Sequence, residues 1–310
     1  MNILDYPKLL VLSLLSTFLY SVYIKSVNKF RQTERALGLA SHKAKNQTIT
    51  SGGIIFLLLP LFFINYNKEI LMIIAGTIGF GLLGLIDDIL IIKYKNNKGI
   101  SPLFKIVLQT LISGIVFFFY LKNNEATYIN LFGFSIDFKW FYGFIIMWIL
   151  VSSTNAWNLI DGVDGLCAGC SLIFGIGLGM IAYLEKEYEL LNMMITFHIV
   201  LFVFWCFNLP KAFLFMGNIG ALGLGAFYAC ISIYLNSITS FFIMALLFVF
   251  ETISVILQVI YYKKTNGKRL FKMAPFHHHL EEVGFKEIYV DLLFYLIQII
   301  LVIIVIIFYI

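Results

Sequence analysis

Residues 70–88 read ILMIIAGTIGFGLLGLIDD, seventeen positions without a charge closed by two adjacent carboxylates, Asp87 and Asp88. The apolar run is continuous and does not alternate, so it has no polar face to turn toward water. About twenty apolar residues cross a hydrocarbon core as a helix. Only helices and closed barrels satisfy their backbone there. The stretch therefore reads as a membrane-spanning helix that ends on two acids.

The pattern recurs along the chain. Spans are expected near 3–24, 52–66, 70–90, 106–121, 140–156, 166–184, 190–207, 219–235, 238–262 and 288–310. The shortest is the second, whose apolar part covers only 54–66. Composition agrees: 61% of the 310 residues are hydrophobic and 13% charged, with a mean hydropathy of +0.92. Soluble domains are about 45–50% apolar and about 25% charged, so that class is excluded. With ten spans, seventeen of the 22 Lys and Arg fall on one side and five on the other. Basic loops stay in the cytosol, which places both termini outside. The net charge of +5 is then a topology signal and no argument for nucleic acid.

Between the fourth and fifth spans, 128–138 (YINLFGFSIDF) alternates around a glycine and reads as a short β-hairpin on the outer face. Cys167 and Cys170 are spaced CxxC, but no second pair or histidine stands nearby, so they read as one turn of a membrane helix. The first run lacks a basic leader and a small-residue cleavage site and reads as a retained helix. No repeat or linker divides the chain. The expected fold is an all-α polytopic membrane protein, a single domain over 1–310, with ten transmembrane helices, an outer hairpin and cytosolic catalytic loops.

The polar residues of interest gather at span ends on the cytosolic side. They are Asp87-Asp88, the stretch 155–166 (NAWNLIDGVDGL) and the stretch 274–281 (APFHHHLE). Ionisable groups beside apolar segments are costly and mark function by default. Asn155 and Asn158 are three apart, as are Asp161 and Asp164, so a helical turn would put like groups on one face. Carboxylates bind Mg²⁺ through oxygen alongside substrate phosphates, and phosphoryl transfer needs positioning and charge stabilisation. An acceptor dissolved in the bilayer would explain a site built at span ends. His198, in mid-span, reads as a hydrogen-bonded structural residue, and Glu251 as an intramembrane carboxylate that pairs with a neighbouring helix.

Together with 215–217 (FMG) and 251–258 (ETISVILQ), these motifs resemble the polyprenyl-phosphate N-acetylhexosamine-1-phosphate transferase superfamily. The APxHHHxE form is similar to its phospho-N-acetylmuramoyl-pentapeptide transferase branch. The resemblance runs over essentially the whole chain. It implies transfer of phospho-MurNAc-pentapeptide from UDP-MurNAc-pentapeptide to undecaprenyl phosphate, giving lipid I and UMP with Mg²⁺ in peptidoglycan synthesis. It implies a bacterial inner membrane with the site facing the cytosol, membrane lipid around it, and a homodimer. Asp87 would be base or nucleophile, with Asp88, Asp161 and His278 also catalytic. Asp87, Asp88, Asp161 and Asn218 would hold the metal. Lys45, Thr50, Lys95, Asn155, Asn158, Asp164, Phe215, His277 and His279 would contact the donor, with Phe215 stacking on uracil, and Lys105 would serve the lipid phosphate.

Three positions depart from the family pattern. The TPTMGG stretch reads Thr48-Ile49-Thr50-Ser51-Gly52-Gly53, a lysine expected after the carboxylate pair is Ile91, and the aspartate expected after Phe-Met-Gly is Asn218. They keep alternatives open: a UDP-GlcNAc:polyprenyl-phosphate GlcNAc-1-phosphate transferase, or a catalytically weakened form that binds substrate. A transporter is disfavoured, because the polar groups cluster at one membrane face and no inverted repeat is visible.

Overall fold

A computed structural model describes residues 6–27, 48–94, 99–123, 126–131 and 134–309. Lys45 and Lys95 lie outside them, as does Gly133 of the hairpin. The elements run α1 (Tyr6–Ser26), α2 (Gly53–Leu58), α3 (Lys68–Tyr94), α4 (Pro102–Asn123), β1 (Tyr128–Leu131) and β2 (Phe134–Asp137). They continue with α5 (Tyr142–Ile160), α6 (Leu166–Leu184), α7 (Tyr188–Asn208), α8 (Gly217–Tyr234), α9 (Ile238–Met244), α10 (Leu246–Lys264), α11 (Phe276–Val283) and α12 (Glu287–Tyr309). Nine helices among the described residues are long and apolar enough to cross a membrane.

The expected second span is shorter than a crossing helix. Its apolar part is Gly53–Phe63, in which α2 gives way to a 3-10 turn at Leu59–Phe63 with Pro60 near its start. Even so, the segment travels far. Ser51 is hydrogen-bonded to Asp88 near one end of α3, and Asn67 caps the other end through the Ile70 amide at 2.7 Å. Those two ends of α3 are about 30 Å apart at helical rise. The α2 and 3-10 turns cover about 19 Å of that, and Ile64, whose backbone is extended, begins the four residues that span the rest.

A second difference is a break in the expected span 238–262. The Met244 carbonyl accepts a hydrogen bond from Gln298 Nε2 of α12 at 3.0 Å. One backbone acceptor is thus drawn out of the helix where α9 meets α10. The hairpin forms as read, with Tyr128 opposite Asp137 and Leu131 opposite Phe134. It joins the ends of α4 and α5 that lie opposite the carboxylate pair.

α8 is buried along almost its whole length, whereas α1, α4, α10 and α12 present most of their residues outward. Lipid tails give apolar helices no hydrophobic reason to associate, so close packing relies on small residues. A Cβ on Gly84 of α3 would lie 2.3 Å from the Asn218 carbonyl oxygen, and one on Gly225 of α8 would lie 2.7 Å from the Thr154 Cα of α5. α3, α8 and α5 can therefore touch backbone to backbone, which draws their polar ends together. Beneath that end, Trp157 stacks on Phe248 at 3.7 Å between ring centroids and donates to Ser171. Cys167 and Cys170 are free thiols buried in α6.

Candidate active site

The first four N–H groups of a helix have no partner within it, and that end carries partial positive charge. At α8 the missing cap comes from another helix. Asp88 of α3 accepts the Asn218 amide at 2.9 Å on Oδ1 and the Ile219 amide at 3.3 Å on Oδ2. Ser51 Oγ adds a bond to Oδ2 at 2.9 Å. Asp88 is buried, and both its oxygens are used in clamping α3, α8 and residues 48–53 together.

Asp87, its neighbour, faces a different set. Oδ1 accepts the Ile100 amide at 2.7 Å, and Oδ2 pairs with Lys105 Nζ at 2.9 Å. The loop can close this tightly because residue 99 is glycine with φ +47, where a Cβ would stand 2.1 Å from Asp87 Oδ1. Asn218 Nδ2 donates to Asp87 Oδ2 at 3.2 Å, and Asn218 Oδ1 accepts Asn158 Nδ2 at 2.6 Å. Lys105, Asp87, Asn218 and Asn158 thus form one chain of contacts across α4, α3, α8 and α5. Asn155, one turn earlier, bonds Gln109 of α4 at 3.0 Å and the Val151 carbonyl.

The helical-turn reading of 161–164 needs correction. α5 ends at Ile160, and Asp161 has left helical geometry with φ −77 and ψ 52. The following turn ends at Gly165, whose φ of +85 suits glycine. Asp161 and Asp164 are therefore not on one helical face. Asp164 is buried and accepts the Ala212 amide at 3.0 Å, joining this turn to the one before α8. Asn208 strengthens that junction, accepting from the Gly165 amide and donating to the Leu214 carbonyl. Gly162 lies against the histidines: a Cβ there would stand 2.4 Å from His277 Nε2 and 2.9 Å from His278 Nε2.

Residues 49–53 run beside 214–216. Phe215 donates to the Ile49 carbonyl at 2.8 Å, Gly52 to Phe215 at 2.9 Å and Gly53 to Met216 at 3.0 Å. Thr50 and Phe215, both half-buried, are brought together here, and Tyr23 Oη holds the Thr50 carbonyl. Across the site, α11 carries the histidines. His277 is fully buried beside Glu251, His278 Nδ1 lies 2.7 Å from Glu281 Oε2, and His279 Nδ1 accepts the Lys272 amide. His198 is tied to the Met194 carbonyl and Tyr228 within the bundle, away from this end.

Sequence reasoning missed Ser51, Gln109 and Asn208. Gln109 and Asn208 are polar residues within or closing apolar runs, which was a usable signal. Ser51 gave none beyond its place before two glycines.

No three His, Cys, Asp or Glu side chains converge at metal distance among the described residues, so Asp161 does not join Asp87 and Asp88 around one point. What does converge is the Asp87 carboxylate with the side-chain amides of Asn218 and Asn158, which meet it and each other through their Nδ2 groups. Asp87 and Asp88 are both buried and adjacent, and one ammonium, Lys105, pairs with Asp87. Mg²⁺ takes oxygen ligands and is commonly held by one or two carboxylates with substrate phosphates completing the shell. With the Asn218 and Asn158 amides turned to present oxygen beside Asp87, the set fits that ion.

Glycosyl transferase family 4 matches residues 70–236, the stretch from α3 through α8. Relatives extend the similarity over most of the chain. The phospho-N-acetylmuramoyl-pentapeptide-transferase of Staphylococcus saprophyticus is 38% identical over 296 residues, 90% of this chain and 91% of its own. That of Streptococcus gordonii is 36% identical over 288 residues, 87% of this chain and 88% of its own. That of Streptococcus agalactiae serotype III is 38% identical over 261 residues, 78% of this chain and 77% of its own.

Proposed function

This chain belongs to glycosyl transferase family 4, among its phospho-N-acetylmuramoyl-pentapeptide-transferases, and from that premise we propose that it makes lipid I at the cytosolic face of a bacterial plasma membrane. The observation that carries the reading is similarity at 36–38% identity over nearly nine tenths of the chain. A lipid phosphate oxygen attacks the sugar-bearing phosphorus of UDP-MurNAc-pentapeptide. The phosphoanhydride bond breaks and UMP leaves.

The geometry supports a division of roles. Lys105 stands at the start of α4, its side chain 17% exposed, where it can exchange its bond to Asp87 for a lipid phosphate oxygen. Asp87 orients that ammonium and, with Asn158 and Asn218, would hold Mg²⁺. Bound there, the ion would neutralise charge developing on the phosphate oxygens. Thr50 and Phe215, held side by side, form the platform for the uridine. His278 and Asp161 close the donor's diphosphate from the α11 side, and His277, His279 and Asn155 complete that wall. Asp164 and Asp88 hold the walls in register. Lys45 and Lys95 are further donor contacts by family resemblance. The short α2 segment makes the tenth crossing, which keeps both termini and the hairpin outside. A homodimer is the proposed assembly.

The test is UMP release from UDP-MurNAc-pentapeptide by the purified protein. Release should require both undecaprenyl phosphate and Mg²⁺ and stop on addition of EDTA. Release independent of the lipid would reject the acceptor.

A further inference from the structure

The motif 251–258 lies on α10, largely among apolar residues, and the roles above leave it unused. Glu251 is fully buried, where an ionisable group is costly unless its oxygens are engaged. They are engaged by the neighbouring helix. Oε2 accepts the Phe276 amide at 2.8 Å and Oε1 the His277 amide at 3.2 Å. These are the first N–H groups of α11, whose own N-cap residue is proline and offers no side-chain acceptor. Seven residues on, two turns along the same face, Gln258 Oε1 accepts the Leu270 and Phe271 amides and its Nε2 donates to the Phe271 carbonyl. Two polar side chains of α10, Glu251 and Gln258, thus fasten the backbone that leads into the three histidines.

The carboxylate also sets the His277 ring. Nδ1 lies 3.2 Å from Glu251 Oε2, out of line for a hydrogen bond, and neither ring nitrogen has a hydrogen-bond partner among the described residues. The ring fills the space between Glu251 and Gly162, where even a methyl group would meet Nε2 at 2.4 Å. Its position is therefore fixed by contact on both sides. Asp161 precedes that glycine, and His278 follows His277.

We propose that Glu251 is a positioning residue for the transfer reaction, setting the depth of the histidine segment and, through His277 packed on Gly162, its spacing from the Asp161 turn. The role rests on the lipid I reading of the site. It predicts an effect on the chemical step and little on nucleoside binding, because Phe215 and Thr50 belong to other elements.

In the full chain, Glu251→Gln keeps size but turns one acceptor into a donor facing a backbone N–H. It should lower kcat by about ten-fold or more, the scale on which misplacing a group at the site slows the reaction, with KM for the donor within about three-fold. Gly162→Ala should give the same split from the opposite side. The double variant should lose less than the product of the two single losses, since both act through His277. A solely structural glutamate would instead lower the thermal midpoint while the folded protein kept its kcat, and that result overturns the proposal. So does full multiplicativity. If the wild type turns over no muramoyl nucleotide, the function reading fails separately. Amide exchange then decides: Glu251→Gln should speed exchange in 276–279 and 161–165 but not in 217–222, and unchanged exchange in the first two segments rejects the role.

Discussion

Asp87 and Asp88 are adjacent in sequence and do different work, because successive residues on a helix point about 100° apart. Asp88 turns inward to the α8 amides and Ser51, and Asp87 turns to Lys105 and Asn218. Asp88→Asn should therefore cost stability, by about 2 kcal/mol for a buried charge-assisted network, read as a lower thermal midpoint in detergent. Asp87→Asn should keep the midpoint near wild type and cut turnover by about 10²–10³-fold. Equal midpoints for the two variants would remove the distinction. That both carboxylates matter was legible in the sequence, since acids beside an apolar run are expensive. Which one faces the cavity was not, because it depends on the rotation of α3 against α8.

Asn218 joins Asp87 to Asn158 through a neutral amide. An aspartate there would place a third carboxylate beside Asp87 and Asp88, a repulsive arrangement that a divalent cation relieves. Asn218→Asp should raise kcat and lower the Mg²⁺ concentration giving half-maximal rate, while reducing the thermal midpoint in EDTA. If none of these moves, the ion is held without residue 218.

At the scale of elements, the spans were readable because a continuous apolar run of membrane length has one solution. The boundaries that went astray depend on partners far away in sequence. The break between α9 and α10 follows from Gln298, 54 positions beyond Met244. The turn at 161–165 follows from its ties to Asn208 and Ala212. The hairpin was legible from local alternation alone. The glycines of α3 and α8 act at this scale as well. Gly84→Ala would push α3 away from the first turn of α8, where its Cβ meets backbone and cannot be relieved by a rotamer change. The expected cost is about 1–3 kcal/mol, with lost turnover because Asp87 moves away from Asn218. A stable, fully active Gly84→Ala protein would contradict the packing described here.

At the scale of the whole molecule, the polar ends of α3, α4, α5 and α8 meet at one face and the hairpin lies at the other. In a background with Cys206 replaced, single cysteines at Lys68 and Lys186 should react with an impermeant thiol reagent added to intact cells. Cysteines at Lys211 and Lys268 should react only after the membrane is opened. These four positions are exposed, so failure to label would reflect sidedness. Labelling of all four from outside would overturn the topology and, with it, a cytosolic donor site.

Transfer of phospho-MurNAc-pentapeptide to a lipid phosphate at this site is open to a donor competition. The purified protein would be given equal UDP-MurNAc-pentapeptide and UDP-GlcNAc with undecaprenyl phosphate and Mg²⁺, and the lipid products identified by mass. Lipid I should be the main product, formed in step with UMP. A lipid carrying GlcNAc-1-phosphate as the main product, or UMP without any lipid-linked sugar, would contradict it.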